Sequence, residues 1–307
     1  MHAPPKAVEL EGVTKAFGEH VAVDDLALAV PAGSVYGFIG PNGSGKTTTL
    51  RMIMNIFYPD RGSIRVFGEE RRGASGDRIG YMPEERGLYK KMRVRTLLRF
   101  CGRLKKGRHV EAEVDRWLER LELAEWADKR VQSLSKGMSQ KVQFIATVVS
   151  RPELLILDEP FSGLDPVNTD AIRRAILDLR DQGTTVIFST HDMATAERMC
   201  DFIFMIFRGR KVLDGTLSAI QGEYGEDTIR ARIDGERIRL DGLPGVERIN
   251  DHGRVQELRL RPGTDPQIVL RSLVERVPVT HFELAKPSLH DIFVRIAGPE
   301  AAEARRV

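Results

Sequence analysis

Apolar positions recur along this chain with two alternating periods. Short apolar runs of four to six residues, Ser34–Ile39, Ser63–Phe67, Ile79–Met82, Leu154–Leu157, Thr185–Ser189 and Phe202–Phe207, read as buried strands. Between them, helical spacing appears at Leu50, Ile53, Met54 and Phe57, and at Val114, Trp117, Leu118 and Leu121. It recurs at Val142, Ile145, Ala146 and Val149, then at Ile172, Ala175, Ile176 and Leu179. The first of these helices is expected to stop at Pro59. Strands alternating with helices predict an α/β layer with a largely parallel sheet. Val8–Val13 and Val21–Val30 read as antiparallel strands added in front of it.

A polar, glycine-containing stretch at residues 222–226 marks a boundary. The expected units are 1–222 and 223–307. The second is a small α+β domain with strands at Ile229–Ile233, Val255–Leu260 and His281–Leu284, and helices at Asp265–Val277 and Ser288–Ile296. The tail from Glu300 to Val307 is charged and is expected to fray.

Composition changes this picture little. The 307 residues are 41% hydrophobic and 30% charged, as for an ordinary globular protein of about two domains. A net charge of +3 does not by itself point to nucleic acid. Cys101 and Cys200 have no metal-ligand spacing and fit a reduced compartment. The first ten residues carry no signal-peptide core, and no apolar run reaches the roughly 18–20 residues of a membrane helix. A role at a membrane would be performed from the water side.

The chemistry starts between the strand Ser34–Ile39 and the helix after it. Gly40, Pro41, Asn42, Gly43, Ser44, Gly45, Lys46 and Thr47, followed by Thr48, form a complete G-x-x-x-x-G-K-[ST] loop. Strand, glycine turn and helix N-terminus aim unpaired backbone N–H groups at a polyanion. Gly43 and Gly45 let the backbone approach phosphate, Lys46 can reach its oxygens, and the Thr47 hydroxyl can ligate Mg²⁺. The run Leu154–Leu157 ends in Asp158 and Glu159, at the strand edge where nucleotides sit in open α/β sheets. Asp158 is placed to hold the hydration shell of Mg²⁺, and Glu159 to polarise the attacking water. Ser135 is a candidate helix cap, and with Gly137 it also makes a second anion site at a helix N-terminus. One phosphate loop with two anion sites hints that the second serves another subunit's nucleotide.

Over about residues 6–222 the chain resembles the ATP-binding cassette (ABC) proteins. The resemblance rests on Phe17, GPNGSGKT, Ile79–Glu84, LSKGM at 134–138, LLILDEP at 154–160, Ser162–Asp165 and Ser189–His191, in that order. It implies a P-loop cassette of the α/β class with a mainly parallel core sheet, an antiparallel β subdomain and a helical subdomain. It implies that Phe17 stacks on adenine and that Lys46, Thr47 and Thr48 hold phosphates and Mg²⁺. Asp158 would hold Mg²⁺ through water, Glu159 would be the catalytic base, and His191 would reach the γ-phosphate. Ser135 and Gly137 would close over the ATP of a facing subunit, with Asp165 at the dimer contact. Three residues depart from the pattern: Glu84, Lys136 and Met138, the last standing where the family has a glutamine. Glu84 stands where the family has a magnesium-ligating glutamine, and a carboxylate can still ligate through oxygen. Lys136 replaces a glycine, its charge either favouring the facing γ-phosphate or pointing to water.

Residues 83–89 and the C-terminal Ser288–Phe293 are similar to the sodium-extrusion and drug-export cassettes. The expected function is an Mg-dependent ATPase subunit of an export-type transporter. It would work with a separately encoded permease, as a homodimer or heterodimer of cassettes at the cytoplasmic face of the membrane. A soluble ABC ATPase acting on nucleic acid is the second reading. It usually brings fused cassettes, a coiled coil or a basic extension, none of which is evident, so no nucleic-acid partner is expected. The basic stretch Lys90, Lys91, Arg93, Arg95, Arg99, Arg103, Lys105, Lys106 and Arg108 is either a solvated helical face or a docking surface for the permease or anionic lipid.

Overall fold

The computed structural model describes residues 5–304 apart from 71–75, 86, 106–108, 225–227, 234–239, 241, 252 and 254. The chain divides into two compact units, Met1–Thr216 and Leu217–Val307.

In the first unit, β1 (Lys6–Phe17) and β2 (His20–Pro31) form a long hairpin, followed by β3 (Val35–Ile39) and α1 (Lys46–Ile53). Then come β4 (Arg61–Val66), β5 (Glu69–Glu70) and β6 (Ile79–Met82), and the helices α2 (Val94–Leu104), α3 (Val110–Arg120) and α4 (Lys136–Val148). The rest is β7 (Leu154–Asp158), α5 (Pro166–Asp181), β8 (Thr185–Thr190), α6 (Met193–Met199), β9 (Phe202–Phe207) and β10 (Arg210–Gly215). Six strands form the central sheet in the order β10-β9-β3-β8-β7-β6, parallel except for β10. A separate antiparallel sheet runs β2-β1-β4-β5.

The central strands are buried on both faces, and their side chains sort alternately into two cores. Leu155 and Leu157 of β7 and Val186 and Phe188 of β8 join the helical core around Trp117, Val142 and Ile176. Leu154, Ile156 and Ile187 turn the other way, to Val8, Leu28 and Ile64 of the antiparallel sheet and Leu50 of α1. The sheet is therefore clamped between a β layer and a helical layer, and its strand ends are fixed from both sides.

Several elements differ from expectation. Helix α1 stops at Ile53, because Asn55 takes a left-handed conformation (φ 60°) that ends helices. Phe57 therefore packs on the core from a turn and not from the helix. Of the basic stretch after Glu84, Arg95, Arg99 and Arg103 lie on α2, whose apolar side Val94, Leu97 and Leu98 is buried. Position 222 lies inside α7 (Leu217–Glu223), and the division of the chain falls just before that helix. Residues 225–227 of that stretch lie outside the described residues.

The second unit continues with β11 (Thr228–Ile233), β12 (Val246–Asp251), β13 (Val255–Leu260), α8 (Pro266–Val274), β14 (Val279–Ala285) and α9 (Leu289–Ala304). Its antiparallel sheet runs β12-β13-β11-β14. Ile229, Leu258 and Leu260 form its core with Val269 and Leu273 of α8. Helix α9 runs past Ile296 to Ala304.

The helical layer contains a buried carboxylate whose charge is compensated. Glu113 accepts from Arg116 (2.6 Å) and from Arg151. Burial alone would push its carboxyl up, but the bonds from Arg151 and Arg116 hold it below the ordinary glutamate range. Such a group stabilises the fold fully above its unfolded pKa, and the contribution is lost as pH falls through the lowered folded value. Glu113→Gln should therefore cost on the order of 1–3 kcal/mol near neutral pH. Urea denaturation across pH tests this: the cost should shrink on acidification, and a pH-independent cost would show that packing, not charge, is lost.

Candidate functional site

Strand β3 ends at Ile39, and the chain turns through residues 40–45 into α1. The turn depends on glycine. A Cβ on Gly40 would collide with the Ile206 carbonyl and one on Gly45 with the Ala22 carbonyl, while Gly43 and Gly45 have φ of 76° and 108°. The Ser44 hydroxyl is buried there without a hydrogen-bond partner. The Lys46 ammonium is buried and donates to the carbonyls of Gly40 (2.7 Å) and Pro41 (3.1 Å). Desolvation lowers its pKa, and the negative charges of Glu159, Asp158 and Glu84 oppose that shift.

Two strands along, β7 delivers the acidic pair. Asp158 is buried and accepts from Thr47 Oγ1 (3.3 Å) and from the Ser189 hydroxyl. Ser189 Oγ also accepts from the Glu159 backbone N–H (3.0 Å). One hydroxyl on β8 thus holds the Asp158 carboxylate and the backbone of Glu159. Glu159 itself takes a left-handed conformation (φ 48°), unusual for a non-glycine residue and a form of strain that gathers at functional sites. Its Oε1 stands 3.0 Å from His191 Nδ1. A carboxylate accepts, so Nδ1 is the donor in this contact.

These elements line a cavity of about 370 Å³ that gathers Phe17, His20, Ala22, Asn42–Thr48, Glu84 and Glu159. Phe17 is 45% exposed at its mouth and packs edge-to-face on Phe57. An exposed ring beside a phosphate loop can stack a base. Asp158 and His191 border this arrangement through Thr47 and Glu159. The orphaned Ser44 hydroxyl, the buried ammonium and the glycine turn fit a polyphosphate. Thr47, Asp158 and Glu84 offer the oxygen donors that Mg²⁺ prefers. Among the described residues no group of three or more His, Cys, Asp or Glu could hold a metal alone, so such an ion would take further ligands from phosphate and water.

Ser135, Gly137 and Asp165 do not line this cavity. Ser135 caps α4, its Oγ accepting from Met138 N (3.2 Å), and Asp165 caps α5 by accepting from Asn168 N (2.9 Å). Gly137 lies against Asn168, where a Cβ would fall 2.9 Å from Nδ2. The Lys136 side chain folds over Gly163 of its own chain, and a Cβ at Gly163 would overlap it.

Sequence reasoning passed over three residues. His20 lines the cavity because the hairpin pairs it with Phe17. Ser189 was read only as part of a motif. Gln143 donates to the Pro83 carbonyl (2.8 Å) and so ties α4 to the turn carrying Glu84; a buried glutamine within the Val142–Val149 apolar pattern is the signal that could have found it.

A family profile described as "ABC transporter" matches residues 23–162, and one described as "ATP-binding protein DrrA1-3-like, C-terminal domain" matches residues 215–297. A further profile, an AAA domain, matches residues 128–197. The chain is 38% identical to an uncharacterized ABC transporter ATP-binding protein of Bacillus subtilis, over 94% of this chain and 98% of that one. It is 36% identical to the Nod factor export ATP-binding protein I of Paraburkholderia xenovorans, over 97% and 99% of the two chains. A solved structure of the ATP-binding subunit of an ABC transporter superposes with a TM-score of 0.65 at 31% identity, covering 71% of this chain and 93% of that one. Likeness of this extent, joined to a phosphate loop facing an acidic strand end, shows that the chain belongs to the ABC transporter family as an ATP-binding, ATP-hydrolysing subunit.

Proposed function

We propose that this subunit powers export through a separately encoded permease, by closing on a second cassette, identical or not, around ATP. The observation that carries this reading is the division of the anion-binding groups. Phe17, the phosphate loop, Glu84 and Glu159 line one cavity, whereas Ser135 and Gly137 lie outside it. For those two to touch a γ-phosphate, a second cassette must supply them, and a closed two-fold pair meets that need. The full-length likeness to a Nod factor export protein supports the export direction. The two units would serve as an ATPase cassette and an accessory domain.

Within the site, the backbone N–H groups of residues 43–48 and Lys46 would hold the phosphates, and Phe17 the base. Mg²⁺, held by Thr47, Asp158 and Glu84, directly or through water, would supply charge neutralisation on the phosphate oxygens. Glu159 would accept the proton of the attacking water, and His191 would hold Glu159 and the γ-phosphate in register. Ser189 anchors the Asp158 carboxylate beside Thr47 and the Glu159 backbone, and His191 meets the Glu159 carboxylate. Glu159→Gln should bind ATP and turn it over at least ~100-fold more slowly, as expected for loss of a positioned base. It should also accumulate an ATP-bound dimer visible by gel filtration. Wild-type turnover in this variant would remove Glu159 from the mechanism.

The stretch from Lys90 to Arg108 would dock on the permease through more than its charges. Arg95 pairs with Asp115, Arg103 pairs with Glu111, and the half-buried Lys105 donates to the carbonyls of Gly76 and Ile79. Lys106 and Arg108 lie outside the described residues. What projects is apolar: Tyr89, Phe100 and Leu104 are 60%, 45% and 69% exposed, with Lys90, Lys91 and Arg93 beside Tyr89 in sequence. Tyr89 and Phe100 meet edge-to-face. An apolar centre with a basic rim suits a permease loop. Among the described residues no helix is long and apolar enough to cross a membrane, and a peripheral position on the cytoplasmic face follows from this reading. Phe100→Asp should cut membrane association at least ~10-fold, the scale of a lost interface anchor, with basal ATPase unchanged. Pelleting with permease-containing membranes tests it, and undiminished pelleting would return this face to solvent.

A further inference from the structure

Glu84 departs from its family, and its carboxylate has to be aimed by the fold. Strand β6 runs beside β7 with Met82 opposite Leu157, so the chain after it reaches the acidic end of β7. Glu84 follows two residues later, outside any strand or helix, and lines the nucleotide cavity. It is close enough to the Lys46 ammonium to act on its charge. A side chain on such a turn points where its backbone is held, and the groups that hold it tune any metal it meets.

That hold comes from α4. Gln143 is 5% exposed, and its Nε2 donates to the carbonyl of Pro83 (2.8 Å) and, at longer range, to that of Glu85 (3.4 Å). The two protons of one amide thus grip the backbone on either side of Glu84. The neighbours Val142, Phe144 and Ile145 are apolar and wholly buried, and they fix the helix in its core. Gln143 Oε1, by contrast, is buried without a hydrogen-bond partner. An unmet buried acceptor costs stability, so packing alone favours an apolar residue here. One turn earlier on α4, Gln140 donates to the Pro160 carbonyl (3.0 Å), directly after Glu159. Two glutamines of one helix therefore each hold a turn that carries a carboxylate of the site.

We propose, on the reading of Glu84 as a magnesium ligand, that Gln143 is its positioning residue: by holding Pro83 and Glu85 it keeps the carboxylate where Mg²⁺ joins the nucleotide. Without the amide, the turn is free to carry Glu84 away from the phosphate loop, and nucleotide binding loses part of its dependence on the metal. Gln143 contacts neither nucleotide nor metal in this scheme and acts only through Glu84. Its removal therefore has no further effect once position 84 is a neutral glutamine.

The test is calorimetric titration of the full chain with a β,γ-imido analogue of ATP, in excess Mg²⁺ and again in EDTA. The ratio of the two affinities measures how strongly metal and nucleotide assist one another. Glu84→Gln should lower that ratio about fivefold or more, the difference between a charged and a neutral contact. Gln143→Met, unbranched and of similar length but without the donor, should lower it by a comparable factor. Adding Gln143→Met to Glu84→Gln should change the ratio less than about twofold, because the two residues act as one unit. A merely structural glutamine would weaken binding equally with and without metal, and in both backgrounds. Should Gln143→Met fail to fold, Gln143→Asn carries the same test, because its amide is one methylene too short for both carbonyls. An unchanged ratio in the Gln143 variant beside a lowered one in Glu84→Gln would overturn the proposal alone, as would effects that add. An unchanged ratio in Glu84→Gln would overturn the reading of Glu84 as a ligand, and this proposal with it.

Discussion

The nucleotide site depends on three parallel strand ends arriving level with one another. In the central sheet β3 is hydrogen-bonded to β8 and β8 to β7, with Ile39 opposite Thr190 and Ser189 opposite Asp158. That register sets the phosphate loop beside the Ser189 hydroxyl and the acidic pair, although the loop lies more than a hundred residues from either. A shift of one residue in β7 would turn Asp158 away from Thr47 and move every apolar side chain of the strand to the opposite core. The two cores, each taking alternate residues of β7 and β8, hold the register against such a slip. Packing thus specifies the geometry of the chemistry, and the polar contacts refine it.

The refinement carries strain and charge. Lys46 is buried against its own loop carbonyls, and three acids hold its charge up against desolvation. Glu159 occupies a backbone region that non-glycine residues avoid. The Ser44 hydroxyl is buried without a partner. Each of these costs stability in the empty protein, and each would be relieved or used when a polyphosphate takes its place in the loop.

Much of this was legible in the residues because the motifs are local. The glycine spacing of residues 40–47 dictates a turn, and four apolar residues before Asp158 dictate a buried strand ending in a carboxylate. What escaped was set by contacts distant in sequence. Ser189 looks like an ordinary strand residue until β8 lies between β3 and β7. Gln143 looks like a flaw in an apolar stripe until Pro83 arrives beside it. Strand β12 was missed because Val246–Asp251 carries three charged residues. Within residues 90–108, ion pairs of Arg95 with Asp115 and Arg103 with Glu111 join positions that look independent in the sequence. The Lys136 ammonium lies beside Gly163 of its own chain.

The central claim, that these strand ends make one site for ATP, is tested most directly by equilibrium binding of ATP to the purified chain and to Lys46→Ala, with phosphate release measured in parallel. The account predicts micromolar-range binding and Mg-dependent release by the wild type, and a loss of ATP affinity of ~100-fold or more on removing the buried ammonium from the phosphates. Equal ATP affinity in the two proteins would contradict it.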